Sequence, residues 1–172
     1  PSALVPDALD RDVPRRRFDI LSLHLDLALD LPGRGIGGTA MYTVARLSEG
    51  DFVLDQVALD VTSVTIDGEA ATYQMPGNTI VIEMPDRIAR GGQAKVNIAY
   101  SATPRNGLHF REAKGPDSYA EVWTQGQKND NRYWIPCWDH PNDRFVYEGN
   151  IRAPEGWSVL TNSGVELPSY LI

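Results

Sequence analysis

The sequence predicts an all-β fold, a sandwich or bent sheet of many short strands with little helix, and three observations predict it. From Phe18 onward, Leu21, Leu23, Leu25, Leu27, Leu29 and Leu31 alternate with Ser22, His24, Asp26, Ala28 and Asp30. Alternation at a period of two sends successive side chains to opposite faces of a strand. The rest of the chain is broken at short intervals by turn formers, 15 Gly and 12 Pro in all, as in proteins built from short strands. No window carries the i, i+3, i+4, i+7 apolar repeat of an amphipathic helix.

The elements follow in order. Residues 1–17 hold three prolines and the basic run Arg15, Arg16 and Arg17 without periodicity, which reads as an extended lead-in with solvated charges. The leucine strand then meets a core with one face. Pro32, Gly33, Gly35, Gly37 and Gly38 turn the chain, and residues 39–47 return as the second arm of a long hairpin. Further strands are expected at residues 52–58, 61–66, 70–74, 79–83 and 94–101, separated by Asp67-Gly68, Pro76-Gly77 and Gly91-Gly92. Asp-Gly between β-type runs signals a tight hairpin. Strands at 108–111, 119–124, 145–152 and 158–160 complete the series, with at most one helical turn at 128–131.

Composition excludes several classes of function. The 172 residues carry 16 Lys and Arg against 23 Asp and Glu, a formal charge of −7, which opposes binding to nucleic acid through its phosphates. The length suits one domain. No run approaches the 18 or so apolar residues that span a bilayer, and no basic-then-apolar leader opens the chain, so a soluble protein is expected, with the cytoplasm favoured and the compartment otherwise open. Cys137, the single cysteine, excludes an internal disulfide and a Cys-rich zinc site.

Few residues offer chemistry of their own. His24, His109 and His140 lie 85 and 31 residues apart, not at a local metal-ligand spacing, and none is followed by Glu as in an H-E-x-x-H zinc helix. His24 falls on the polar side of its strand. Cys137 near His140 could be a nucleophile, but a small thiol bracketed by Pro136 and Pro141 reads better as buried and inert. There is no G-x-S-x-G elbow, phosphate loop or G-x-G-x-x-G fingerprint. The unusual segment is 123–144, with three of the four tryptophans and many amides. Amides and aromatics gathered in a loop suit recognition. If the strand persists past Thr124, Gln125 and Gln127 share one face, and two side-chain carbonyl oxygens aimed together suit an ammonium group. Asp139 between prolines suits capping of loop N–H groups, and Arg132 or Arg144 suits clamping that carboxylate. An alternative is a stand-alone β-sandwich that binds peptide or carbohydrate on Trp123, Trp134 and Trp138.

The pattern Q-x-Q followed by R-x-x-x-P-C-x-D-x-P-x-x-R, carried by Gln125, Gln127, Arg132, Pro136, Cys137, Asp139, Pro141 and Arg144, resembles the N-terminal domain of the zinc metallo-aminopeptidases that include leukotriene hydrolase and aminopeptidase N. The opening strand from Phe18 to Asp30, the hairpin from Val61 to Gly68, Gly107-Leu108 and the run from Val159 to Gly164 fall in the family's order. The resemblance implies a saddle-like β-sandwich of mixed, mostly antiparallel strands over residues 18–166, with 167–172 opening a linker to a catalytic domain. It implies that zinc is held by that catalytic domain, that this chain binds no metal or cofactor and is inactive alone, and that its partners are the catalytic domain and the N-terminus of a peptide substrate. Gln127 matches the residue that binds the substrate's α-amine, and Gln125 a neighbour lining the first specificity pocket. Arg144 stands where relatives often carry Lys.

Overall fold

The computed structural model describes residues 14–161. Their strands are β1 (Phe18–Asp30), β2 (Gly35–Arg46), β3 (Phe52–Asp55), β4 (Asp60–Ile66), β5 (Glu69–Ala70), β6 (Tyr73–Gln74), β7 (Thr79–Ile82), β8 (Gln93–Ala102), β9 (Leu108–Arg111), β10 (Glu121–Thr124) and β11 (Val146–Arg152). One 3-10 turn, Asn131–Tyr133, is the helical element among them. A six-stranded sheet runs in the order β11-β1-β2-β8-β4-β5, beside a three-stranded sheet β3-β7-β6 and the two-stranded ribbon β9-β10. All pairings are antiparallel except that of β1 with β11. The all-β class with mixed sheets is thus the one the sequence predicts.

One hydrophobic cluster joins the sheets. Leu23, Leu25 and Leu27 of β1 lie with Ala40, Tyr42 and Val44 of β2 and Val96, Ile98 and Tyr100 of β8. Phe52, Leu54, Ile80 and Ile82 of the three-stranded sheet belong to the same cluster. Phe52 meets Phe18 and Tyr42 edge-on at ring-centroid distances of 5.6 and 5.9 Å, the T-shaped geometry favoured by aromatic quadrupoles.

The leucine strand carries a correction. Its pairing with β2 slips between Ile20 and Ser22, so Leu21 is an extra, bulged residue. A one-residue insertion reverses which side chains face inward. Phe18 and Ile20 are therefore buried before the bulge and Leu23, Leu25 and Leu27 after it, while Leu21 and Leu29 are only half-buried. Residues 70–74, expected as one strand, split between β5 and β6 in different sheets. Residues 158–160, expected as a strand, form none: after the turn closed by Trp157 N–H to Pro154 O, Leu160 is 96 % exposed and lacks the burial that rewards strand pairing. The helical turn falls three residues later than expected, at Asn131–Tyr133. Arg16 is not simply solvated, because it pairs with Asp19 and with the buried Asp143, each at 2.6 Å. Most of the lead-in and the linker opening at 167–172 lie outside the described residues.

Leu25 is fully buried. Leu25→Ala is expected to lower the unfolding free energy by about 2–5 kcal/mol, read from urea denaturation, whereas Leu21→Ala at the bulge should cost clearly less.

Candidate functional site

The segment 123–144 runs from the β9-β10 ribbon to β11. Within the ribbon, Trp123 faces His109 and Thr124 faces Leu108. Gln125 N–H extends the ladder by one rung, donating to Gly107 O at 2.8 Å. There the strand ends. Gly107 has φ +77°, and a Cβ on it would lie 2.0 Å from Asp130 O, so the chain folds tightly over this point only with glycine. A Cβ on Gly126 would fall 2.2 Å from Asn131 Oδ1. The Asn131 amide thus lies directly against the backbone between the two glutamines.

That bend revises one expectation. Gln125 keeps the strand's side-chain parity, but Gln127 already belongs to the turn that contains Lys128 with φ +63°, so the two do not sit side by side on a strand face. Both side chains are exposed. Neither carboxamide is hydrogen-bonded to another described residue.

The rest of the segment is pinned from below. Cys137 and Asp55 form an antiparallel bridge, with Asp55 N–H to Cys137 O at 2.7 Å and Cys137 N–H to Asp55 O at 3.0 Å. The Tyr42 hydroxyl donates to Pro136 O. Val57 N–H donates to Arg132 O at 2.8 Å. Asp139 is the junction: its buried carboxylate accepts from Arg132 Nε at 3.1 Å, its N–H donates to Asp55 Oδ2 at 3.1 Å, and its carbonyl accepts from Asn129 Nδ2 at 3.0 Å. Arg132 also reaches Asp55 Oδ1 with Nη1 at 3.4 Å. The guanidinium therefore bridges two carboxylates from different parts of the chain and does not grip one with both prongs.

Arg144 is exposed, and its N–H donates to Asp143 Oδ1 at 2.9 Å. It is Arg16 that neutralises Asp143, whose Oδ2 also accepts from Ile20 N–H at 3.2 Å. Sequence reasoning missed that anchor because its partners are 123 residues and more apart. Pro141 is exposed. His140 Nδ1 accepts from Asn142 N–H at 3.2 Å. Burial pushes the Cys137 thiol well above its ordinary value, with Asp139 and Asp55 adding to the shift, an environment opposite to that of a reactive thiolate. His24 lies on the polar side of β1, its Nδ1 3.7 Å from Glu148 Oε2. Trp123 is 43 % exposed, but Trp134 has its indole nitrogen buried and Trp138 donates to Asn142 Oδ1 at 2.7 Å. Of the three tryptophans named for the alternative binding platform, Trp123 is thus exposed while Trp134 and Trp138 are half-buried. Among the described residues no three His, Cys, Asp or Glu side chains are grouped to hold a metal ion.

The class of protein, a β-rich N-terminal domain of a peptidase family, is set by comparison with known proteins. The family model described as the Peptidase M1 N-terminal domain matches residues 18–168, and the chain belongs to that family. It is 26 % identical over 158 residues to leukotriene A-4 hydrolase of Xenopus laevis, covering 86 % of this chain and 26 % of that protein. It is 29 % identical over 174 residues to aminopeptidase N of Streptomyces lividans, covering 93 % of this chain and 19 % of that one. The fold is shared with native yeast LTA4 hydrolase at a TM-score of 0.73, with 22 % identity over 88 % of this chain and 27 % of the other. It is also shared with the M1 zinc metallopeptidase from Deinococcus radiodurans, at 0.66 with 21 % identity over 80 % and 32 %. The chain therefore spans only about a quarter and a fifth of the length of the curated relatives named here, 26 % and 19 %.

Two outcomes test the junction. Arg132→Ala leaves a carboxylate that is 5 % exposed without its cation and should lower stability by about 2–4 kcal/mol in urea titration, the partial exposure of Arg132 moderating the loss. Arg132→Lys should restore only part, because an ammonium cannot span both carboxylates as a guanidinium fork does. The second outcome concerns alkaline pH. The folded protein holds the Cys137 proton above about pH 9 while the unfolded chain releases it, so this contribution is intact at lower pH and is lost as pH rises, by up to about 1.4 kcal/mol per pH unit. Cys137→Ala should flatten the stability profile between about pH 8.5 and 10, the range in which a free thiol titrates before tyrosine does.

Proposed function

We propose that this chain is the substrate-reading N-terminal domain of a zinc aminopeptidase, and that Gln127 accepts a hydrogen bond from the α-ammonium of the peptide while Gln125 lies beside its first side chain. The observation that carries the reading is the state of the two carboxamides, exposed and not engaged by any other described residue, on a loop whose backbone is tied down by Asp139, Arg132 and Asp55. An amide that merely completed the loop's own hydrogen bonds would be engaged with neighbouring backbone. A carboxamide oxygen meeting an ammonium makes a charge-assisted hydrogen bond worth about 1.5–3 kcal/mol, without the full desolvation cost of a buried carboxylate. Anchoring the free amine counts residues from the peptide's start, which makes the activity that of an exopeptidase.

The zinc of this reading is held by a catalytic domain of the parent protein, against which the present domain packs. The described residues do not form a metal site, and no role in the bond-breaking step is assigned to them. Their work is to position the substrate, with Arg132, Pro136, Cys137, Asp139, Pro141 and Arg144 shaping the loop that presents Gln125 and Gln127.

In the full-length zinc enzyme, Gln127→Ala should lower kcat/KM for removal of an N-terminal residue by about ten- to a hundredfold, the kinetic equivalent of one charge-assisted hydrogen bond. A kcat/KM unchanged for short peptides removes Gln127 from this role.

A further inference from the structure

The exposed face of the β9-β10 ribbon carries a row of side chains that leads directly to Gln125. His109 and Trp123 are cross-strand partners, and so are Arg111 and Glu121. The two rings are stacked at 5.3 Å between centroids with an interplanar angle of 23°. Arg111 and Glu121 pair at 2.9 Å beyond them. Since the Gln125 N–H continues the ladder at Gly107, strand parity puts the Gln125 side chain on the same face as Trp123. The indole has His109 against one side and is still 43 % exposed.

We propose, building on the assignment of Gln127 to the substrate amine, that Trp123 backed by His109 is a specificity-determining contact for an aromatic side chain at the third residue of the peptide. Same-face side chains on a strand are spaced by about 6.8 Å, and so are the first and third side chains of an extended peptide. A peptide with its amine at Gln127 and its first side chain beside Gln125 runs back along the ribbon, antiparallel to β10. Its third side chain then falls at Trp123. His109 holds the indole's orientation in advance, which lowers the ordering cost of stacking an incoming ring. The Arg111–Glu121 pair closes the row, so the aromatic contact ends at this one position.

The test compares release of the first residue from two tripeptide amides, Leu-Ala-Phe and Leu-Ala-Gly, by the full-length zinc enzyme. The wild type should favour Phe over Gly at the third position by about two- to tenfold in kcat/KM, the range of one aromatic pair. Trp123→Ala should bring the ratio close to one, Trp123→Phe should keep most of it, and Trp123→Leu, which retains an apolar side chain in the ribbon, should also lose it. Gln127→Ala should slow both substrates alike and preserve the ratio. A wild-type ratio of one, or a preference that survives in both Trp123→Ala and Trp123→Leu, overturns the proposal while leaving the amine assignment standing. Unchanged rates in Gln127→Ala overturn the amine assignment and, with it, the alignment on which this contact depends.

Discussion

A buried carboxylate between an arginine and a second carboxylate is the constraint on which the loop depends. Asp139 is withdrawn from water, and Arg132 meets its carboxylate at 3.1 Å while extending another nitrogen toward Asp55. Through Asp55 this junction is continuous with the three-stranded sheet, since the same residue bridges Cys137 with its backbone. A side-chain interaction thus fixes a backbone path. Arg132 lies within the 3-10 turn at Asn131–Tyr133, and the turn's first residue sets its amide against Gly126. Charge pairing in the interior, close approach at two glycines and the exposed bend between the glutamines are thus neighbouring features of one short stretch of chain.

The sheet supplies the rigid side of this arrangement. Tyr42 is fully buried on β2, and its hydroxyl donates its one proton to the carbonyl of Pro136, so a wholly buried core side chain is also a tether for the loop. The bulge at Leu21 lets β1 bury Phe18 and Ile20 beside Phe52 and still bury the later leucines. Without it, strict alternation would expose one of these two sets. On the far side of the loop, Arg16 and Asp143 join the start of β1 to the approach to β11, and both ends of the segment are therefore held.

The sequence made most of the strands legible, because their signal is local: alternation for β1, turn pairs such as Asp67-Gly68 for the hairpin from β4 to β5. The residues of the loop were legible as a motif, with Gln125, Gln127, Arg132 and Asp139 singled out together. What could not be read was which partner each would find. Arg132 divides itself between Asp139 and Asp55, and Asp143 pairs with the guanidinium of Arg16, taking only a backbone N–H from the adjacent Arg144, choices made by pairs distant in sequence. The bulge at Leu21 was hidden for a related reason, since a run of leucines at every second position continues unbroken through it. The stacking of Trp123 on His109 became visible only once the register of β9 and β10 was known.

The residues that anchor the loop are separate from those proposed to read a substrate. The groups that hold the loop are buried or half-buried, whereas Trp123, Gln125 and Gln127 are exposed. Substitutions at exposed positions away from caps, glycines and networks usually shift stability by no more than about 0.5 kcal/mol. Exchanges at these exposed positions therefore leave the domain beneath them intact, and under the proposed reading lineages sharing the scaffold are free to drift apart in taste through a handful of solvent-facing codons.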